Sequence, residues 1–241
     1  MRTNIPVLRY WVMAAALLLA ELPAASFAQS QTATALVSPG VFDTIAVYSS
    51  DVRPFYKWTG VLNRFHDEIK SATKPCPEGA WTACEPDEWR QLIGALKNLD
   101  LRGKVELVNA AINRHPYVRS IDNWAQVNYW ETPFEFLHVN GQCQDYAITK
   151  YLLLRAAGVP DDLLRVVVLR DMNLQLDHAV LVVDMEGEQL LLDNQINVVV
   201  PASAVKHYRP YYAINESGWW RLMPQRPANN TVVASSSTDS N

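Results

Sequence analysis

Three residue types in this 241-residue chain stand where they could share a nucleophilic reaction: a thiol, an imidazole and a carboxylate. Of the three cysteines, Cys76 and Cys84 flank a short stretch containing Pro77 and Gly79, a spacing that a disulfide closes simply in an exported chain. The spacing is not CxxC and no histidine lies nearby, which disfavours a redox or metal role. Cys143 is then left over, in Gly141-Gln142-Cys143-Gln144-Asp145-Tyr146, where a helix begins after a glycine. A thiol in a first helical turn faces unpaired N–H groups and the positive end of the helix dipole, both of which favour thiolate. A lone cysteine is more often a buried structural residue, so position alone leaves the choice open.

A base for that thiol must come from elsewhere among five histidines. His66 falls on a surface helix, His115 precedes a proline, His138 lies in a loop beside Asn140, and His207 lies in a Tyr/Arg/Pro-rich loop. His178 opens an apolar strand and shares a face with Val180 and Val182. With Glu186-Gly187 as a hairpin tip, the next strand places Asp193 opposite Val180, hence diagonal to His178 on the same face. Asp193 follows Leu190-Leu191-Leu192, where a carboxylate is costly without a partner, and the histidine supplies one. Nucleophile, base and base-orienting acid are the parts of an acyl-transfer site. The Cys143 N–H is the natural oxyanion donor, and an indole N–H from Trp124 or Trp130 is a candidate second one.

The elements that must position these groups follow from periodicity. Helical spacing predicts a helix from Pro54 through Trp58, Val61, Leu62, Phe65 and Ile69, a second over Asp87 to Leu99, and a third over Lys104 to Arg114. A looser tryptophan-rich stretch, Asp122 to Pro133, precedes a strong helix from Gln142 to Ala157 that ends at Gly158-Val159-Pro160. Alternating β-branched segments then predict strands at Arg165–Arg170, His178–Asp184, Gln189–Asp193 and Val198–Val200. Helices first and antiparallel strands afterwards is an α+β order, with N-terminal helices packed on an antiparallel sheet.

A net charge of −4 excludes a broad basic surface for nucleic acid, and 49% hydrophobic residues suffice for the core of one domain. Residues 1–28 have the grammar of a cleaved signal peptide: Arg2 and Arg9, the apolar run Trp11 to Ala20, and a small-residue site at Ser26-Phe27-Ala28. The run is shorter than the roughly 20 residues of a membrane span, and no later stretch is long enough. Residues 29–39 read as a flexible leader, 40–225 as the folded domain, and 226–241 as a disordered polar tail. The mature chain is expected to be exported and soluble.

The order Cys-His-Asp on a helix and two strands resembles the transglutaminase-like branch of papain-type cysteine proteases. It is most similar to the bacterial transglutaminase-like cysteine proteinases, the LapG-type periplasmic proteases. The segments that carry the similarity are Trp130-Glu-Thr-Pro-Phe-Glu-Phe-Leu137, Gly141-x-Cys143-x-Asp145-Tyr146, Gly158-Val159-Pro160, Asp177-His178-Ala179-Val180 and Leu192-Asp193-Asn194. The resemblance implies a papain-like/transglutaminase-like fold with Cys143 as nucleophile, His178 as base and Asp193 as orienter. It implies cleavage of the N-terminal region of a large surface adhesin near a pair of small residues, hence control of attachment and biofilm. It also implies, as a partner, an inner-membrane receptor that senses cyclic di-GMP.

The chain departs from the family at one place. Members usually read Gly-Asp-Cys-Glu-Asp-Tyr, with the flanking acids helping to hold calcium. Here Gln142 and Gln144 replace them, leaving Asp145 alone of the metal-holding acids, so no cofactor is expected to be required and calcium binding is expected to be weak. Two other functions use the same residues or the same fold: an amide-transferring transglutaminase, in which an amine intercepts the thioester, and a non-catalytic binding module.

Overall fold

The computed structural model of the chain describes residues 37–72 and 84–225. The order is β1 (Val37–Pro39), β2 (Thr44–Ser49), α1 (Tyr56–Ser71), α2 (Asp87–Leu96), α3 (Leu101–Ile112), α4 (Ser120–Trp124), α5 (Pro133–Val139), α6 (Cys143–Ala156), β3 (Leu164–Asp171), β4 (Leu176–Met185), β5 (Glu188–Leu192), β6 (Val200–Pro201), β7 (Tyr208–Ile214) and β8 (Trp219–Pro224). The strands form a curled antiparallel sheet in the order β1-β2-β8-β7-β3-β4-β5-β6, so β4 and β5, which carry His178 and lead to Asp193, lie inside the sheet, away from its edges. This is the expected α+β arrangement of helices packed on an antiparallel sheet, except that β1 and β2 precede the first helix.

Each helix forms because one stripe of it can be buried. Trp58, Val61 and Phe65 are the buried residues of α1, and Trp89, Leu92 and Leu96 those of α2. Asp100 caps α3 by accepting a hydrogen bond from the Gly103 N–H. The rings of Phe65, Trp89 and Phe134 meet edge-on at 5.2–5.6 Å, joining α1, α2 and α5. α6 differs from the others, since every residue from Gln144 to Leu154 is buried. It is the central helix, packed on the sheet through a core that includes Ile148, Leu152, Val166, Leu181 and Leu190. A second core on the other face holds Val167, Val180, Val182, Leu191 and Tyr208. The β4–β5 hairpin turns at Glu186 and Gly187, both with positive φ (55° and 86°), as a two-residue turn between strands requires.

Several boundaries differ from the sequence expectation. Val37–Pro39, the end of the expected leader, pairs with β2. The short α4 runs into the start of the Trp-rich stretch, and Pro133–Val139 forms α5, started by a Thr132/Glu135 capping box with Pro133 at its first position. Strands β2, β7 and β8 were not expected. β7 and β8 mix aromatic, Pro and Arg residues without clean alternation, and a chain of pairings decides all three: β7 on β3, β8 on β7 and β2 on β8. Cys76, the signal segment and the polar tail lie outside the described residues; Cys84 is buried.

Candidate active site

Cys143, a free cysteine, is the first residue of α6. The helix start is fixed by Asp145, whose carboxylate accepts hydrogen bonds from the Gln142 N–H (2.8 Å) and the Glu131 N–H (2.8 Å). Gly141 is required at the approach: a Cβ there would lie 2.6 Å from Glu131 Oε2 and 2.7 Å from Asp145 Oδ2. The thiol is thereby held at a helix N-terminus whose position is set by buried polar contacts.

His178 lies near the start of β4, in register with Leu169 of β3, and Leu181 pairs with Leu192 across the hairpin. That register puts His178 and Asp193 on one face. His178 Nε2 lies 2.9 Å from Asp193 Oδ1, and both side chains are essentially excluded from solvent. Asp193 also accepts from the Gln195 N–H (2.9 Å) and, at Oδ2, from the Tyr208 hydroxyl (2.6 Å). Asn113 Nδ2 donates to the Asp193 carbonyl (2.7 Å), tying the end of β5 to α3.

The electrostatics favour a charged pair. Burial alone would lower the His178 pKa, but hydrogen bonds to Asp193 and Cys143, with the charges of both, raise it to about 9. Burial pushes Asp193 upward, yet the bond and charge of His178, the Gln195 N–H and the Tyr208 hydroxyl hold it below the usual carboxylate value. With Nε2 committed to Asp193, Nδ1 is the ring nitrogen left for the sulfur. Below this pair lies Lys150, fully buried, with Nζ donating to Asn109 Oδ1 (2.8 Å). Burial lowers its ammonium to about 7 against the opposing charge of Asp193.

Cys143 and His178 open into one cleft of about 460 Å³, walled by Tyr117, Gln142, Trp130 and Tyr212. A thiolate next to an imidazolium in such a cleft can attack a carbonyl carbon, and the imidazolium can hand its proton to a leaving amine. The indole expectation needs correction. Trp124 Nε1 donates to Glu131 Oε1 (2.6 Å), and Trp130 Nε1 donates to Asn128 Oδ1 (3.0 Å). Both indole N–H groups are thus spent on other side chains.

Sequence reasoning missed Tyr208, Gln195, Asn113 and Glu131. Glu131 and Asp145 are fully buried beside the helix start that carries Cys143. Burial raises Asp145 well above its usual value and Glu131 to about 7, each helped by a neighbouring carboxylate. These carboxylates are already occupied as acceptors. Asp145 takes three N–H donors, with Gln144 Nε2 (3.0 Å) as the third. Gln142 Oε1 takes the Ser120 N–H (2.9 Å) and O–H (2.5 Å), which leaves Glu131 Oε2 as the one cluster oxygen without a donor. Calcium takes six to eight oxygens, and amide N–H groups fill the places such ligands would need. The residues present do not fit a tight calcium site.

Comparison with known proteins accords with the fold. A family model of bacterial transglutaminase-like cysteine proteinases matches residues 77–225. The structure is similar to that of calcium-bound LapG from Legionella pneumophila, with 31% identity over 65% of this chain and 87% of that one, at a TM-score of 0.54. Two further structures of Legionella LapG, one of them EGTA-treated, match at 30% identity over 67% of this chain, with TM-scores of 0.52. They are covered over 87% and, for the EGTA-treated form, 84% of their length. No curated protein matches the chain significantly. Since the family model spans more than half of its length, the chain belongs to the bacterial transglutaminase-like cysteine proteinases and is a cysteine peptidase.

Proposed function

We propose that the protein is a periplasmic endopeptidase in which Cys143, His178 and Asp193 act as nucleophile, base and orienter, and that it cuts the N-terminal region of a large surface adhesin. The observation that carries this reading is the buried His178–Asp193 bond beside a helix-start thiol in one open cleft. The Cys143 sulfur attacks the scissile carbonyl and the electron pair moves to oxygen. As the tetrahedral adduct collapses, His178 gives its Nδ1 proton to the leaving amine. A thioester remains on Cys143. Neutral His178 then takes a proton from water, which attacks the thioester and releases the carboxylate product. Asp193 keeps the ring in place and offsets the imidazolium charge in both steps.

The location rests on the signal-like residues 1–28, and the adhesin substrate on the similarity to LapG. Control by a cyclic di-GMP-sensing membrane receptor belongs to the same proposal. Among the described residues no helix is long and apolar enough to cross a membrane. The test uses an exported, repeat-rich surface protein from the same organism as substrate. Wild-type enzyme is expected to release an N-terminal fragment, and folded Cys143→Ala none; full activity of that variant would overturn the mechanism. Adding a primary amine separates hydrolysis from amide transfer, because incorporation of the amine without chain cleavage would favour a transglutaminase.

A further inference from the structure

We propose that the Tyr117 hydroxyl, aimed by the Gln142 side-chain amide, is the second oxyanion donor of this enzyme, working with the Cys143 backbone N–H. The inference rests on the cysteine-peptidase reading above. It starts from a gap: one N–H at the head of α6 is a single donor, and both indoles near the cleft are committed elsewhere.

Gln142 cannot turn freely. Its Oε1 accepts from both the backbone N–H and the hydroxyl of Ser120, so the oxygen faces inward and Nε2 faces the other way. Nε2 reaches the Tyr117 hydroxyl at 3.3 Å. An amide nitrogen can only donate, so the phenol oxygen accepts and its own proton is released for another partner. The backbone that carries the ring is fixed beside the cleft: the Val118 N–H donates to the Gly141 carbonyl (2.9 Å), and Tyr117 forms a bridge with Gly141, two residues before the nucleophile. Tyr117 is half-exposed and lines the cleft with Gln142, Cys143 and His178. Burial raises its pKa against the lowering effect of the Gln142 hydrogen bond, with the charges of Cys143 and Asp145 adding to the rise, so the hydroxyl keeps its proton across the neutral range.

The departure at position 142 thereby acquires a consequence. A carboxylate there would accept the phenol proton and draw it out of the cleft, whereas the amide gives a hydrogen bond and leaves that proton available. During attack the S–C bond forms and the carbonyl π pair moves to oxygen. The oxyanion accepts from Tyr117 O–H and Cys143 N–H without proton transfer, and the pair returns as the amine departs.

The test compares wild type with Tyr117→Phe, a change at a half-exposed ring that removes one oxygen and no packing. Losing one oxyanion donor should lower kcat about 10²-fold, with KM within about twofold, since the ground-state carbonyl needs the donor far less. A peptide aldehyde, which forms a tetrahedral adduct with the thiol, should bind about 10²-fold more weakly. Alkylation by iodoacetamide has no tetrahedral oxyanion and should proceed at the wild-type rate. Gln142→Glu keeps an acceptor for Ser120 but captures the phenol proton, so it should lose kcat and aldehyde affinity with Tyr117 still present. Wild-type aldehyde affinity and kcat in Tyr117→Phe, with normal alkylation, would overturn this proposal alone. Absence of alkylation and aldehyde binding in wild type would overturn the cysteine-peptidase mechanism, and this proposal with it.

Discussion

Asp193 is fully buried, yet its carboxylate is held in the ionised form by two neutral donors, the Gln195 N–H and the Tyr208 hydroxyl, and by the His178 imidazolium. The pair makes stability depend on pH in a definable window. The His178 pKa rises from 6.5 to about 9 on folding, so its contribution is complete below pH 6.5 and is lost as pH rises through about 9. The Asp193 pKa is lowered from 3.8, so its contribution is present above 3.8 and is lost as pH falls through the lower folded value. Thermal midpoints are therefore expected to fall between pH 6.5 and 9 in wild type, and less steeply in Asp193→Asn; equal slopes would show that the pair is not coupled in this way. Asp193→Asn is also expected to reduce turnover, somewhat less than His178→Ala, which should be as damaging as loss of the thiol.

At the scale of elements, the start of α6 concentrates the demands. Gly141 approaches Glu131 and Asp145 more closely than a Cβ permits, and one of the groups it would meet is Asp145 Cβ itself, at 2.8 Å. The clash cannot be relieved by swinging the end of a flexible side chain. Gly141→Ala is expected to cost about 1–3 kcal/mol in denaturant unfolding and to depress kcat more than it depresses stability at the assay temperature, because the first turn carries the thiol. Unchanged unfolding and kcat would show that the cluster yields easily. α5 was readable in advance, since Thr132-Pro133-Phe134-Glu135 holds a capping box with Pro at the first helical position, but the surrounding tryptophans break the helical period and hide it.

For the whole molecule, the contrast with calcium-bound LapG leads to a chelation test. Activity is expected to survive EGTA, because Gln142 and Gln144 bring amide groups where anions would be needed and the remaining carboxylates already accept N–H donors. Activity lost to EGTA and restored by added calcium would refute this. The expected Cys76–Cys84 bridge leaves Cys143 as the single titratable thiol of the mature chain under denaturing, non-reducing conditions; a count of three would exclude the bridge.

The sequence by itself determined the run of helices followed by β3 to β5, the helix start at Cys143 and the β4–β5 register, because these depend on short-range signals: period, caps and a two-residue turn. It did not show β1 and β2 ahead of the helices. Leu181 opposite Leu192 follows from Glu186-Gly187 alone, and with it the shared face of His178 and Asp193. Tertiary structure alone decided who completes the site. Tyr208 joins Asp193 from β7, a strand that exists because β3 pairs with it, and Asn113 and Lys150 approach from helices far away in sequence. It also decided that Trp124 and Trp130 spend their N–H groups on Glu131 and Asn128. A donor's partner is set by which acceptor lies within about 3 Å, and for groups brought together by long-range packing no local pattern records that distance.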